Sequence, residues 1–199
     1  MDPKDVRNGD VNKVTQPNKA MDGLESFLSA LESNNPPEWD ALPDLGLYMD
    51  QVINYLERQI GLLFPPNREG AITSSMINNY VKANVIPRAR SKKYGQEHIA
   101  LLLAAFVLKK ALTTQDMGVL MTKGTDSAIE DPYRSFYEHY RSTLLECGKT
   151  VAQEMRASLE EEPFGGDSLR PLALKLAVEA SIRSLAAEML LTLLEPMAH

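Results

Sequence analysis

The sequence predicts an essentially all-α protein, and three observations carry that prediction. Apolar residues recur at steps of three and four through most of the chain, the period of helices with one buried face. No stretch alternates in the way a multi-stranded sheet requires. Breaker-rich stretches, such as Gly61 with Pro65-Pro66 and Pro163 with Gly165-Gly166, punctuate the periodic segments.

Residues 1–20 are polar and aperiodic and read as a disordered arm. Leu24, Phe27, Leu28 and Leu31 share one face of a helix predicted over 21–32. The stretch 33–43, with Asn34-Asn35-Pro36-Pro37, is a loop, and Trp39 reads as its packing anchor. Asp44 is a candidate N-cap for a helix over 45–60, whose stripe runs Leu45, Tyr48, Met49, Val52, Ile53, Leu56 and Ile60. Thr73 can cap a short helix over 74–83, with Asn84 following as a left-handed C-terminal cap. A basic connector, 87–94, leads to a strongly apolar helix over 96–112 and a short one to Leu120. Asp131-Pro132 then opens a helix to about Leu159, a loop is predicted over 160–170, and a last helix spans 171–194. That last helix is apolar around most of its circumference, with Lys175, Glu179 and Arg183 as one charged stripe.

Composition narrows the class. The chain has 199 residues, 44% apolar and 24% charged, an ordinary globular balance with length for a real core. One cysteine, Cys147, allows no internal disulfide. It falls on the apolar stripe of its helix and is expected to be a buried structural thiol. Residues 1–20 lack the apolar run of a signal peptide, and no stretch reaches the roughly 20 apolar residues of a membrane span. A cytoplasmic protein without membrane contact is the expectation.

The net charge of −6 argues against a general polyanion binder until it is divided along the chain. Residues 1–20 carry +1, 21–66 carry −7, 67–112 carry +6 and 113–199 carry −6. A basic module thus lies between acidic flanks. Inside it, Met76, Ile77, Tyr80 and Val81 can pack inward, while Ser75, Asn78, Asn79 and Lys82 share the opposite side of the same short helix. Asn can bond adenine bidentately and Lys can reach guanine or phosphate, so this face suits a major groove. Arg88, Arg90, Lys92 and Lys93 follow, where a loop could lie along a sugar-phosphate backbone. A merely solvated face and loop would show the same pattern.

The run TSSMINNYVKANVIPRARSKKYGQEHIALLLAAFVLKKALTTQDM, residues 73–117, resembles the DNA-binding region of the mercury-resistance-regulator (MerR) superfamily. Met76-Ile77-Asn78-Asn79-Tyr80 stands in its recognition helix, Val85-Ile86-Pro87 at the exit, and Lys92-Lys93-Tyr94 closes its basic wing. Gln96-Glu97-His98 opens the next helix, and residues 113–117 give the closing signal. The wider stretch, roughly 42–117, is similar to domain-of-unknown-function family 1836, whose members are treated as transcriptional regulators. Three departures stand out: the connection 61–72 is long, the wing is short, and Asn78 replaces an arginine common in the recognition helix.

The resemblance implies a fold of three parts. After the arm at 1–20 comes a MerR-like winged helix-turn-helix domain over 21–120, with at most a minimal β wing. A C-terminal helical bundle over 121–199 follows, for dimerisation or sensing. It implies a regulator binding double-stranded DNA through Ser74, Ser75, Asn78, Asn79, Tyr80, Lys82, Arg88, Arg90, Lys92, Lys93 and His98, acting as a homodimer. Tyr133, Phe136, Tyr137 and Tyr140 either pack the bundle or line a pocket for a small-molecule effector. A helical protein-interaction module on the same scaffold, without DNA binding, is the rival reading. Burial of the polar helix face would favour it.

No enzyme and no cofactor is expected. His98, His139 and His199 show no metal-ligand spacing with Cys147, and no phosphate-binding glycine loop or Gly-x-Ser-x-Gly elbow is present.

Overall fold

The computed structural model describes residues 15–33, 35–60, 72–122, 131–161 and 165–194. Seven α-helices make up the described chain: α1 (Thr15–Ser33), α2 (Met49–Ile60), α3 (Ser74–Lys82), α4 (Gln96–Leu108), α5 (Thr114–Thr122), α6 (Pro132–Glu161) and α7 (Gly166–Leu194). A single 3-10 turn, Trp39–Ala41, precedes α2.

α4 is the axle of the fold. Every side chain from His98 through Phe106 is buried, so this helix needs neighbours on all sides. α2 and α6 cover it, α3 packs on α2, and α5 follows it closely. Val52, Leu56 and Ile60 turn the buried stripe of α2 inward. Tyr80 sets its ring edge-on to Phe106, with centroids 5.9 Å apart, which locks α3 to α4.

α6 joins this core through its first half. Tyr137 is buried, donates its hydroxyl to the Pro37 carbonyl (2.9 Å) and stands against the Trp39 ring. Arg141 donates to the Pro36 carbonyl (2.8 Å), and Arg134 grips the Asp40 carboxylate with both terminal nitrogens. Trp39 is buried and its carbonyl accepts from Gln96, so the 35–41 segment is clamped between α4 and α6. The second half of α6 carries α1. Leu28, Ala152 and Leu172 are buried there, apart from the main core. Arg156 holds Glu25 and Glu32 together, and Gly148 lets the Leu31 carbonyl pass where any Cβ would sit 2.5 Å away.

Several boundaries differ from the sequence reading. α1 starts at Thr15, inside the segment expected to be a disordered arm; residues 1–14 lie outside the described residues. Most of the long connection between α2 and α3, 61–71, lies outside them as well. α2 begins at Met49 rather than Leu45, because Leu47 pairs with Tyr94 by two reciprocal backbone hydrogen bonds of 2.9 Å each. That pairing keeps Leu47 out of the helix, and Gln51 rather than Asp44 caps it, accepting from the Tyr48 amide (2.9 Å). α4 ends at Leu108, not Leu112. The 160–170 loop narrows, since α6 runs to Glu161 and α7 opens at Gly166 with Pro171 inside it. Cys147 is exposed, not buried: it lies on the half of α6 that has left the main core, on a face that α1 does not cover. Among the described residues no helix is long and apolar enough to cross a membrane.

Candidate nucleic-acid interface

α3 is a short helix with both ends closed. Thr73 accepts from the Met76 amide (3.3 Å) at the start. At the finish Asn84 takes a positive φ of 56°, the Val85 amide donates to Tyr80 (2.9 Å), and the Asn84 amide donates to Val81 (3.2 Å). This is a Schellman termination, with buried Val85 as its apolar anchor. Closed ends free the outward face from any need to satisfy backbone groups. Ser74, Ser75, Asn78, Asn79 and Lys82 are all exposed on that face, while Ile77 and Tyr80 are buried beneath it.

The basic connector forms a tight reversal. Arg90 and Lys93 exchange two backbone hydrogen bonds, 3.0 and 2.9 Å, across Ser91 and Lys92, whose φ values are 51° and 63°. Positive φ at both central residues is the signature of a type I′ hairpin turn, the form whose twist suits paired strands. No β-branched or aromatic residue stands at either position, yet neither is glycine or asparagine, so the turn carries backbone strain of about 1 kcal/mol or more per residue. Beyond the turn, the Leu47–Tyr94 pairing fastens this reversal to the segment ahead of α2.

Three further contacts hold its base. Gly46 lies so close to Lys93 that a Cβ there would stand 2.9 Å from the Lys93 Cβ. The Lys93 ammonium sits 5.5 Å from the centre of the Tyr48 ring. His98 accepts from the Gly95 amide at Nδ1 (3.0 Å), which leaves Nε2 as the donor toward the Arg88 carbonyl (3.4 Å), and Tyr94 sets its ring edge-on to the imidazole.

Electrostatically the surface is open. Arg88, Arg90 and Lys92 line it, and among the described residues neither they nor Lys82 has a carboxylate in ion-pair range. The arginines of α6 contrast: Arg134, Arg141 and Arg156 are each bound to an acidic partner. Cations without ion-pair partners among the described residues on one surface, and bound to carboxylates on another, favour a local positive field despite the net negative charge.

Two expected contact residues are corrected. Tyr80 is buried against Phe106, which raises the pKa of its hydroxyl, and His98 is 2% exposed with both ring nitrogens engaged. Neither can reach a duplex; both position the elements that could. The tyrosines read as either bundle packing or the lining of an effector pocket are used in packing. Tyr137 and Tyr140 donate their hydroxyls to the Pro37 and Leu103 carbonyls, and burial raises both pKa values well above the usual phenol. Tyr133 and Phe136 lean on the same core. Residues the periodicity missed are Gly46, Leu47 and Tyr48, whose local pattern is helical. Only the long-range pairing with Tyr94 gives them their place. Among the described residues no cluster of three His, Cys, Asp or Glu is placed to hold a metal ion.

The architecture is thus that of an all-α chain built on one enclosed helix, with an exposed polar helix and a strained basic turn side by side in sequence. The chain belongs to the family described as Domain of unknown function (DUF1836), whose model matches residues 37–142, more than half of its length. The match starts at the clamped 35–41 segment and ends about a third of the way along α6, so it takes in most of the main core and leaves out α1 and α7. No curated protein and no solved structure was found to match the chain.

Proposed function

We propose that the chain is a bacterial transcriptional regulator that binds double-stranded DNA with a MerR-like winged helix-turn-helix arrangement. In this reading α3 enters the major groove with Ser74, Ser75, Asn78, Asn79 and Lys82. Arg88, Arg90, Lys92 and Lys93 contact the flanking backbone. The chain works in the cytoplasm as a homodimer reading two half-sites, and the reading assigns it no catalytic residue. The observation that carries it is the exposure of the whole polar face of α3, followed in the chain by cations without ion-pair partners among the described residues. The rival reading, a protein-interaction module on the same scaffold, calls for burial of that face, and the face is open.

Selection of bound fragments from genomic DNA by the purified protein tests the proposal and reports the site. Replacing Arg88, Arg90, Lys92 and Lys93 by Ala should weaken binding to every sequence. It should also flatten the dependence of log K on log salt by roughly one for each phosphate that is no longer neutralised. Asn78→Ala and Asn79→Ala should instead relax discrimination among sequences. Recovery of no enriched fragment, or an unchanged salt slope in the quadruple variant, overturns the assignment.

A further inference from the structure

Ser91 stands at the tip of the basic turn, in a setting that no other described serine or threonine shares. Among the described residues, each of the others lies within a helix or caps one, as Thr73 and Thr113 do. Ser91 is exposed in a turn, and among the described residues its hydroxyl has no hydrogen-bond partner.

Two observations make that hydroxyl reachable. Group transfer to it requires the oxygen to come in line with a reacting phosphorus, which a helical backbone resists and an exposed turn permits. The turn is closed by the two backbone hydrogen bonds between Arg90 and Lys93, and its central residues hold φ values of 51° and 63°. Opening it gives up those bonds and releases the strain of two left-handed residues, so little opposes an extended approach to Ser91. The surroundings select the visitor. Arg88 and Arg90 precede the serine by three positions and by one, and Lys92 and Lys93 follow it. All four are exposed, and among the described residues none has a carboxylate in ion-pair range. Cations on both sides of one accessible hydroxyl complement an acidic substrate groove.

We propose that Ser91 is a phosphorylation site, the acceptor for an arginine-directed serine kinase that uses a nucleoside triphosphate. The Ser91 oxygen attacks the γ-phosphorus, the bond from that phosphorus to the β,γ-bridging oxygen breaks, and the nucleoside diphosphate leaves with the electron pair. The hydroxyl proton passes to the kinase's catalytic carboxylate, and nothing is oxidised or reduced. The product acts through charge. Phosphoserine brings a charge of about −1.5 to −2 and three strong acceptor oxygens, so the four cations around it fall from a sum of +4 to roughly +2. Those oxygens meet the same guanidinium and ammonium groups that the proposed function gives to DNA phosphates. The modified side chain is thus an intramolecular substitute for the duplex backbone. This consequence for DNA rests on the DNA-binding reading, whereas the modification itself does not.

The full chain, incubated with a purified arginine-directed serine/threonine kinase and γ-labelled ATP, should take up one phosphate per molecule. Peptide mass spectrometry should place it on Ser91. Ser91→Ala should take up none, and Arg88→Ala should be modified roughly tenfold more slowly, the loss of one charge-assisted contact. Phosphorus NMR reads the contact directly: the surrounding cations should hold the second ionisation of the phosphate below its usual value of about 6. Lys92→Ala with Lys93→Ala should return it toward that value. On genomic fragments that the unmodified chain retains, the phosphorylated chain should bind roughly 50-fold more weakly at about 0.1 M salt, with a salt slope shallower by about two. No uptake, uptake at another residue, or uptake that survives Ser91→Ala overturns the site. A phosphorylated chain that binds DNA as before overturns the regulatory step alone. An unmodified chain that binds no DNA defeats the DNA-binding reading and leaves phosphate uptake to decide the site.

Discussion

Two helices of this chain are apolar over most of their circumference, and the fold treats them in opposite ways. α4 is enclosed: α2, α6 and the helices around them bury every side chain from His98 to Phe106. α7 is more than twice as long, yet large apolar residues line its outer side and only Leu172 and Leu191 are buried. Neither helix concentrates its apolar residues on one face, although α4 is the more apolar of the two and α7 also carries Lys175, Glu179, Arg183 and Glu188. What separates them is the number of neighbours the rest of the chain supplies. A helix that is greasy all round must be covered all round, and the described residues cover one such helix completely and the other by half.

The contrast can be broken most severely at its centre. Phe106→Ala should lower unfolding free energy by about 3–5 kcal/mol, because a fully enclosed ring leaves a cavity and abandons Tyr80. Leu185→Ala should stay within about 0.5 kcal/mol when urea unfolding is followed at protein concentrations too low for association. Similar losses at both sites would mean that the outer face of α7 is packed within the monomer.

A second prediction concerns the seam between the two regions. Gly148→Ala places a methyl 2.5 Å from the Leu31 carbonyl, an overpacking that costs about 1–3 kcal/mol and exceeds the helix-propensity gain of about 1 kcal/mol. α1 should lift from α6 and become sensitive to protease, while hydrogen exchange in α4 stays slow. Protection of α1 equal to that of the parent chain would show that this approach is looser than it stands.

Smaller again is Lys92→Gly. Glycine accepts the φ of 63° without steric conflict, so folding should gain about 1 kcal/mol. Under the proposed function, DNA affinity should fall at the same time, since one backbone cation is gone. A melting temperature that drops instead would remove strain from the account of the turn.

The smallest effect is one of acidity. The Arg156 guanidinium beside Glu25 holds its carboxyl below the usual 4.5. A depressed folded-state pKa contributes stability that is present above the unfolded value and disappears as pH falls through the folded one. Docking of α1 should therefore weaken below about pH 4.5, and Arg156→Gln should abolish that pH dependence, as read by hydrogen exchange in α1.

Local signals are legible wherever one side chain speaks for its own backbone. Thr73 caps α3, Asn84 takes the left-handed turn after it, Ile77 and Tyr80 face inward, and Asn78, Asn79 and Lys82 face out, all as spacing and cap chemistry imply. Failures come where a distant partner outbids the local preference. Leu45 to Tyr48 carry a helical pattern but lie outside α2, because Tyr94 offers Leu47 two backbone hydrogen bonds. His98 stands at a helix start beside a basic loop, where phosphate contact is a reasonable expectation. Its burial follows from the Arg88 carbonyl and the Tyr94 ring closing over it.

By itself, then, the sequence determined the helical class, the caps of α3, the segregation of charge into a basic module and the apolar character of α4 and α7. Each depends on periodicity or on a side chain's reach to its own backbone. Tertiary structure alone decided which apolar helix is enclosed, that α1 rides on the outer half of α6, that Tyr137 and Tyr140 spend their hydroxyls on carbonyls, and that the basic turn is anchored through Leu47. Burial is a property of what the rest of the chain brings to a face, and no residue carries that information in its own spacing.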